Sequence, residues 1–146
     1  MSAPDHDPIA ERAAALVEEF ALFDDWMDRY AHLVEMGRAL PPLDDAYKTD
    51  AYRVRGCQSQ VWLRSFREAT PEGARLRFEA DSDALVTKGL AAVLVRVLDR
   101  QPPAAVAAAD LSFLDAIGLR EHLSPSRANG LAAMAARMRA AAQSEA

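Results

Sequence analysis

The sequence predicts a single α+β domain, in which helices at both ends of the chain pack around a three-stranded antiparallel sheet. Apolar residues recur with helical spacing before residue 40 and again after residue 83. Between these segments, residues 52–81 alternate apolar and polar side chains, which is typical of half-buried strands. A chain of 146 residues is enough for one domain, and we expect residues 1–8 and 141–146 to be flexible tails.

Two helices are predicted in the N-terminal third. Pro8 suits the first position of a helix, and the apolar face that follows is Ile9, Ala13, Leu16, Val17 and Phe20. The second helix is expected to start with Asp24 as its N-cap and to end at Gly37 or at the Pro41-Pro42 pair. Its expected apolar face is Trp26, Met27, Tyr30, Leu33 and Val34.

The three expected strands form a meander. Tyr52 and Val54 alternate with arginines, Val61 and Leu63 follow a polar run, and residues 75–81 alternate over a longer stretch. The letters TPEG, residues 70–73, predict the hairpin turn between the last two strands. The first reversal of the meander is expected close to Cys57.

Helical spacing returns after the sheet. Asp83 is the expected N-cap of a strongly apolar helix, whose stripe is Val86, Leu90, Val93, Leu94, Val97 and Leu98. Short helices are predicted over residues 104–109 and 111–117. Ser124 followed by Pro125 predicts the start of a long, alanine-rich last helix.

The distribution of charge argues against a nucleic-acid-binding protein. The chain carries a net charge of −5, whereas nucleic-acid binders present basic surfaces. Residues 1–50 carry a net charge of −8 and residues 51–77 a net charge of +4. The second segment is interpreted either as a solvated sheet face that carries arginine or as a positive field around Cys57.

The sequence also indicates the compartment. Neither a membrane-spanning run nor a signal peptide is recognisable, so we expect no membrane association. A single cysteine with no export signal favours a cytoplasmic protein.

Cys57 is the one cysteine of the chain and the main candidate for chemistry. A lone intracellular cysteine is most often an inert, partly buried residue. Here, however, Gly56 precedes it, polar residues follow it, and the nearby Arg53 and Arg55 favour a reactive thiolate.

Other kinds of cysteine chemistry find less support. A thiol hydrolase would need a histidine beside the cysteine, and no spacing places His6, His32 or His122 there. One cysteine and three scattered histidines predict no metal site.

Three blocks of the sequence resemble a known family. "GCQSQVWL" at residues 56–63, "DSDALVTKGLAAVL" at 81–94 and "LSPSRANGLAAM" at 123–134 are similar, in order and in spacing, to the signature blocks of the SufE family of sulfur acceptors. The resemblance extends from the first helices to about residue 140.

This resemblance implies both a fold and a role. The fold would be the α+β fold shared with the iron–sulfur scaffold protein IscU. The partner would be a cysteine desulfurase (SufS-like) that holds the pyridoxal phosphate, so that no cofactor is expected on this chain. The chain would accept persulfide sulfur, stimulate the desulfurase and deliver the sulfur to a SufBCD-like iron–sulfur scaffold complex.

The resemblance also assigns residues to these roles. Cys57 matches the persulfide-carrying nucleophile, in a loop with Gly56, Gln58 and Ser59. Asp83 matches an acidic residue associated with the mobility of that loop, and Arg127 matches an arginine implicated in contact with the desulfurase. The role would be that of a persulfide carrier and desulfurase activator rather than of a stand-alone enzyme. An alternative is a non-catalytic adaptor that regulates a cysteine desulfurase without carrying sulfur.

Overall fold

Within the residues that the structure describes, two helices precede a β-hairpin, and five more helices follow it. The structure, a computed structural model, describes residues 7–56 and 59–144. The helices are α1 (Pro8–Ala21), α2 (Trp26–Ala39), α3 (Leu85–Leu98), α4 (Pro103–Ala107), α5 (Phe113–Ala116), α6 (Leu119–His122) and α7 (Pro125–Ser144), and the strands are β1 (Val61–Thr70) and β2 (Gly73–Ser82). A short 3₁₀ turn, Asp45–Tyr47, lies between α2 and β1. The α+β class is confirmed.

Helix α1 forms as its sequence predicts. Asp7 caps it, because one carboxylate oxygen accepts hydrogen bonds from the amides of Ile9 and Ala10, and Pro8 occupies the first turn. The buried face consists of Ile9, Ala13, Leu16 and Phe20. Within the expected tails, Pro8 already belongs to α1 and residues 141–144 belong to α7, while Asp7 is the extended N-cap residue.

Helix α2 departs from the prediction at two positions. Its N-cap is Asp25 and not Asp24, since the carboxylate of Asp25 accepts from the amide of Asp28. Met27, which the spacing places on the apolar face, is 76% exposed. Of the two expected ends, the proline pair is the one that agrees: the helix passes through Gly37 and continues to Ala39.

Gly37 is needed inside the helix because α2 and α3 cross closely there. A Cβ atom at Gly37 would lie 2.7 Å from the backbone nitrogen of Gly89. A Cβ atom at Gly89 would lie 2.4 Å from the carbonyl oxygen of Leu33. Backbone atoms cannot move aside as a flexible side chain can, so two glycines permit this contact.

The sheet has two strands, and the prediction of three was wrong. β1 and β2 pair antiparallel from Val61 opposite Ser82 to Thr70 opposite Gly73, which places the turn at Pro71-Glu72 as expected. Residues 52–54 form only an isolated bridge beside the start of β1. The chain turns immediately before them, where the amides of Tyr52 and Arg53 bond to the carbonyls of Thr49 and Asp50, so too few residues remain extended to make a strand.

Helix α3 is the centre of the core, as its apolar stripe predicts. It packs against α2, β2, α7 and α1. All six residues of the predicted stripe are buried. Its position matters for function because its N-terminus follows directly from the end of β2, next to the predicted cysteine loop.

The C-terminal region has three short helices where two were expected, and then α7. Ser124 caps α7, since its hydroxyl accepts from the amide of Arg127, and Pro125 is the first helical residue. Leu131, Met134 and Met138 anchor α7 in the core.

Glu19 joins three helices through one carboxylate. The Arg96 guanidinium of α3 donates to both oxygens of Glu19 at 2.8 and 3.0 Å, and His32 Nε2 of α2 lies 2.5 Å from Oε2. The hydrogen bond from Arg96 is the main cause that lowers the pKa of Glu19 from 4.5 to about 2, against the opposing effect of burial.

The pKa of Glu19 predicts a loss of stability in acid. Because the folded-state pKa is depressed, this stabilisation is complete above pH 4.5 and is lost as the pH falls toward 2. Glu19→Gln should lower the free energy of unfolding at neutral pH by about 1–2 kcal/mol and flatten the decline in acid. Denaturant titrations across this pH range measure both effects. Glu18→Gln, an exposed neighbour on α1, is the control; equal profiles for the two variants would contradict the assignment.

Candidate functional site

The candidate site is the loop that joins the bridge at residues 52–54 to β1. Cys57 and Gln58 lie outside the described residues, so the site is built from the two segments of chain that flank them. We call residues 51–56 the N-terminal limb and residues 59–60 the C-terminal limb. Gly56 is exposed and has a φ of +93°, a left-handed conformation that favours glycine and bends the chain just before Cys57.

The N-terminal limb is held against the start of β1. The amide of Val54 donates to the carbonyl of Val61, and the amide of Leu63 donates to the carbonyl of Tyr52, both at 2.8 Å. The side chain of Val54 is 2% exposed and belongs to the core. The chain therefore leaves the core at Val54 and returns to it at Val61.

The C-terminal limb is held by the end of β2. The Asp83 carboxylate accepts from the amide of Gln60 at 3.0 Å, and the amide of Asp83 donates to the carbonyl of Gln60 at 3.2 Å. The hydroxyl of Ser82 donates to the same carbonyl at 2.8 Å. Three hydrogen bonds thus fix Gln60 to Ser82, the last residue of β2, and to Asp83, which follows it.

These contacts correct the expected role of Asp83 as an N-cap. The N-cap position of α3 is Ala84, which makes no side-chain capping bond. The carboxylate of Asp83 is engaged by the C-terminal limb instead. Asp83 is therefore in direct contact with the loop, and its predicted effect on loop mobility stays a prediction.

The other predicted site residues lie on either side of the loop. The hydroxyl of Ser59 accepts a long hydrogen bond, 3.5 Å, from the buried Thr87 of α3. Arg127 is exposed on the first turn of α7. It precedes Ala133, which faces Gly56, by six residues, or about 9 Å along the helix axis. Gly56, Ser59 and Asp83 are thus grouped at the loop, while Arg127 is displaced along α7.

Arg137 belongs to the site although sequence reasoning missed it. Its guanidinium donates to the carbonyls of Arg53 at 2.7 Å and Ala51 at 3.0 Å. An arginine in an alanine-rich helix resembles any solvated residue, so no signal in the sequence distinguishes it. Ser82, whose hydroxyl bonds to Gln60, was also missed. Here the sequence does contain a signal, because Ser82 lies between Asp81 and Asp83 at the start of the second block that resembles the family.

A buried carboxylate stabilises the end of β2 beside the loop. Asp81 is 5% exposed and accepts from the amides of Leu43 and Ser82. Lys48 and Lys88 place their ammonium groups 3.3 and 3.4 Å from its oxygens. Burial acts to raise the pKa of Asp81, but these amides and ammonium groups outweigh it and lower the pKa below its ordinary value.

Arg64 and Arg77, two of the six arginines of residues 51–77, form ion pairs on the sheet. Arg64 pairs with Glu79, and Arg77 pairs with both Glu68 and Asp99. These two arginines therefore agree with a charged sheet face. Closer to the loop lie the half-buried Arg53, the exposed Arg55 and the Arg137 guanidinium.

The described histidines are engaged in other contacts. His32 lies against Glu19, Phe20 and Phe23, and His122 stacks on Trp26 with ring centroids 4.5 Å apart. These environments do not suggest a general base for a thiol hydrolase. Across residues 7–56 and 59–144, no group of three or more potential ligand residues is arranged to hold a metal ion. In that same part of the chain, no helix combines the length and apolar character of a membrane span.

Comparison with protein families identifies the chain. A family model described as "SufE: Fe-S metabolism associated domain" matches residues 14–142. The chain belongs to the SufE family. Membership places it in iron–sulfur metabolism, in a family associated with cysteine desulfurase partners.

Bacterial and plant relatives agree with this assignment. An uncharacterized SufE-like protein of Rhizobium etli is 40% identical over 125 residues, which cover 85% of this chain and 84% of the relative. Another, from Rhizobium meliloti, is 36% identical over 88% of this chain and 92% of its own length. A chloroplastic/mitochondrial SufE-like protein 1 of Arabidopsis thaliana is 41% identical over 87% of this chain, which matches 34% of that longer protein.

A solved structure supports the fold. The solution structure of a hypothetical protein from Thermus thermophilus superposes with a TM-score of 0.73 over 91% of this chain and 94% of that one. The two sequences are only 24% identical, so this similarity supports the fold and not a function.

The hydrogen bond between Asp83 and Gln60 can be tested on its own. Asp83→Ala removes the acceptor, so the amide of Gln60 should exchange with solvent about tenfold faster, while stability falls by no more than about 1 kcal/mol. Asp83→Asn keeps an acceptor oxygen and should retain most of the protection. Hydrogen exchange followed by NMR measures the effect.

A matched control is Asp110→Ala, which removes a carboxylate that accepts from the amide of Ser112, outside the loop. Equal protection of Gln60 in the wild type and in Asp83→Ala would show that this bond does not hold the loop.

Proposed function

We propose that this SufE-family protein carries persulfide sulfur on Cys57. In this proposal a cysteine desulfurase transfers the sulfur to Cys57, and the chain delivers it for iron–sulfur cluster assembly. The observation that supports the proposal is the position of the single cysteine in the sequence, between two described segments that are each held by hydrogen bonds. Cys57 follows the bend at Gly56, between two limbs that are each fixed by backbone hydrogen bonds. Fixed segments on both sides of a reactive cysteine are what a functional site needs to present its reacting group reproducibly.

The transfer is a thiol–persulfide exchange. Cys57 loses its proton, and its thiolate attacks the outer sulfur of the desulfurase persulfide. A new S–S bond forms on Cys57 while the S–S bond on the desulfurase breaks, and the desulfurase cysteine leaves as a thiolate. No electrons are gained or lost overall. The pyridoxal phosphate that generates the persulfide belongs to the desulfurase, and in this proposal the chain needs no cofactor of its own.

A single cysteine suits a carrier. A persulfide is discharged when a neighbouring thiol attacks its inner sulfur and forms a disulfide. The chain has no second cysteine to do so. The sulfur would then persist on Cys57 until an acceptor from outside the chain removes it.

The remaining predicted residues are assigned to docking and to the loop. Gly56, Gln58 and Ser59 form the tip with Cys57, Asp83 restrains its C-terminal limb, and the exposed Arg127 contacts the desulfurase. We propose a SufBCD-like scaffold complex as the acceptor and the cytoplasm as the compartment.

The carrier and the adaptor differ in what they predict for Cys57→Ser. The protein is mixed with the cognate desulfurase, pyridoxal phosphate and L-cysteine, and its intact mass is then measured. A carrier gains one sulfur atom, which a reductant removes and which Cys57→Ser does not acquire.

Alanine release is followed in the same mixtures. For a carrier, Cys57→Ser should bind the desulfurase and yet lose most of the stimulation. Full stimulation by Cys57→Ser, or no sulfur adduct on the wild type, would contradict the carrier function; the first result would favour the adaptor.

A further inference from the structure

The N-terminal limb is held from two directions. The carbonyl of Tyr52 and the amide of Val54 bond to Leu63 and Val61 of β1. The carbonyls of Arg53 and Ala51 instead accept hydrogen bonds from the Arg137 guanidinium of α7, at 2.7 and 3.0 Å. The limb is thus fixed to β1 through its backbone and to α7 through one side chain.

The same face of α7 also contacts the bend before Cys57. Ala133 precedes Arg137 by four residues, so the two lie one above the other on the helix. A Cβ atom at Gly56 would lie 3.4 Å from the Cβ of Ala133. Helix α7 therefore touches the N-terminal limb both at its base, residues 51–53, and at its bend, residue 56.

We propose that Arg137 is a positioning residue for sulfur transfer, which fixes the N-terminal limb to α7 so that the bend at Gly56 presents Cys57 in a defined orientation. This inference rests on the proposed carrier function. It concerns a residue outside the three sequence blocks that indicate the family, since the last of these ends at residue 134.

Arginine is chemically suited to this task. Its planar, permanently charged guanidinium offers several donors in a fixed arrangement, so one side chain bonds two carbonyls at once. A lysine is a single flexible point charge and holds one carbonyl less rigidly. The two limbs are consequently held by different side chains. Arg137 of the C-terminal helix holds the N-terminal limb, whereas Ser82 at the end of β2 and Asp83 just after it hold the C-terminal limb.

Removal of the guanidinium should leave the fold intact. α7 is anchored by Leu131, Met134 and Met138, while Arg137 itself is half-buried. Arg137→Met keeps a long apolar stem and deletes only the donors. Arg139 offers a matched control on the same helix, since its guanidinium donates to the carbonyl of Ala109, away from the loop.

The first measurement needs no partner. Amide hydrogen exchange of the full-length protein should accelerate by about tenfold or more in residues 51–56 of Arg137→Met, because two charge-assisted hydrogen bonds to this segment are lost. Arg137→Lys should show a smaller acceleration, and Arg139→Met should match the wild type in this segment. Unchanged exchange of residues 51–56 in Arg137→Met would overturn the anchoring.

The second measurement follows sulfur transfer in a single turnover with desulfurase that already carries its persulfide. For Arg137→Met, the maximal rate of sulfur gain by Cys57 should fall by about tenfold, while the concentration that gives half-maximal rate stays unchanged. Arg137→Lys should restore part of the rate. An unchanged maximal rate, or a loss confined to the half-maximal concentration, would overturn the positioning role.

The two experiments separate the possible failures. A wild-type protein that takes no sulfur would overturn the carrier function and the positioning role with it, whereas hydrogen exchange would still decide whether Arg137 anchors the limb. A wild type that takes sulfur together with a fully active Arg137→Met would overturn the positioning role alone.

Discussion

The end of β2 is the point on which the site depends. The buried carboxylate of Asp81 ties together the segment before β1, through Leu43 and Lys48, and helix α3, through Lys88. A buried charge is stable only when it is paired and hydrogen-bonded, and Asp81 meets both conditions. With this junction fixed, the next two residues, Ser82 and Asp83, are held where they bond to the C-terminal limb of the loop.

The described segments on both sides of Cys57 are fixed to the domain. Backbone pairing holds Val54 and Val61 at the core, and Arg137 of α7 also holds the N-terminal limb. The proposed carrier has to pass its sulfur from one protein's site to another's. Because both flanking segments are fixed, such a transfer would not need to disturb the core.

Local patterns in the sequence correctly predicted those helix faces, turns and caps that are determined by neighbouring residues. The face of α1, the turn at Pro71-Glu72 and the Ser124 cap follow from spacing, turn residues and capping preferences. Each of these features is decided by neighbours within a few positions along the chain. The family, too, could be predicted from the sequence, because three blocks of residues resemble its signature in both order and spacing.

Some features depend on residues that are distant in sequence, and local patterns do not decide them. Gly37 is a typical helix stop by its residue type, but α2 passes through it, because a glycine is required where the backbone of Gly89 packs against it. Asp83 has the sequence context of a cap, yet its carboxylate accepts from the amide of Gln60 instead. The third strand was predicted wrongly for a local reason: residues 52–54 alternate as a strand does, but a turn immediately before them limits the pairing to a bridge. Arg137 could not be singled out, because the sequence does not show which exposed carbonyls its helix will face.

The most direct test of the account follows labelled sulfur through the complete route. Desulfurase charged with ³⁵S-labelled L-cysteine is mixed with this protein and then with the iron–sulfur scaffold, and the label on each is measured over time. The account predicts that label appears first on the peptide containing Cys57, then declines there as label on the scaffold rises, and that Cys57→Ser blocks both steps. Label that reaches the scaffold equally fast with Cys57→Ser would contradict the central claim that Cys57 carries the sulfur.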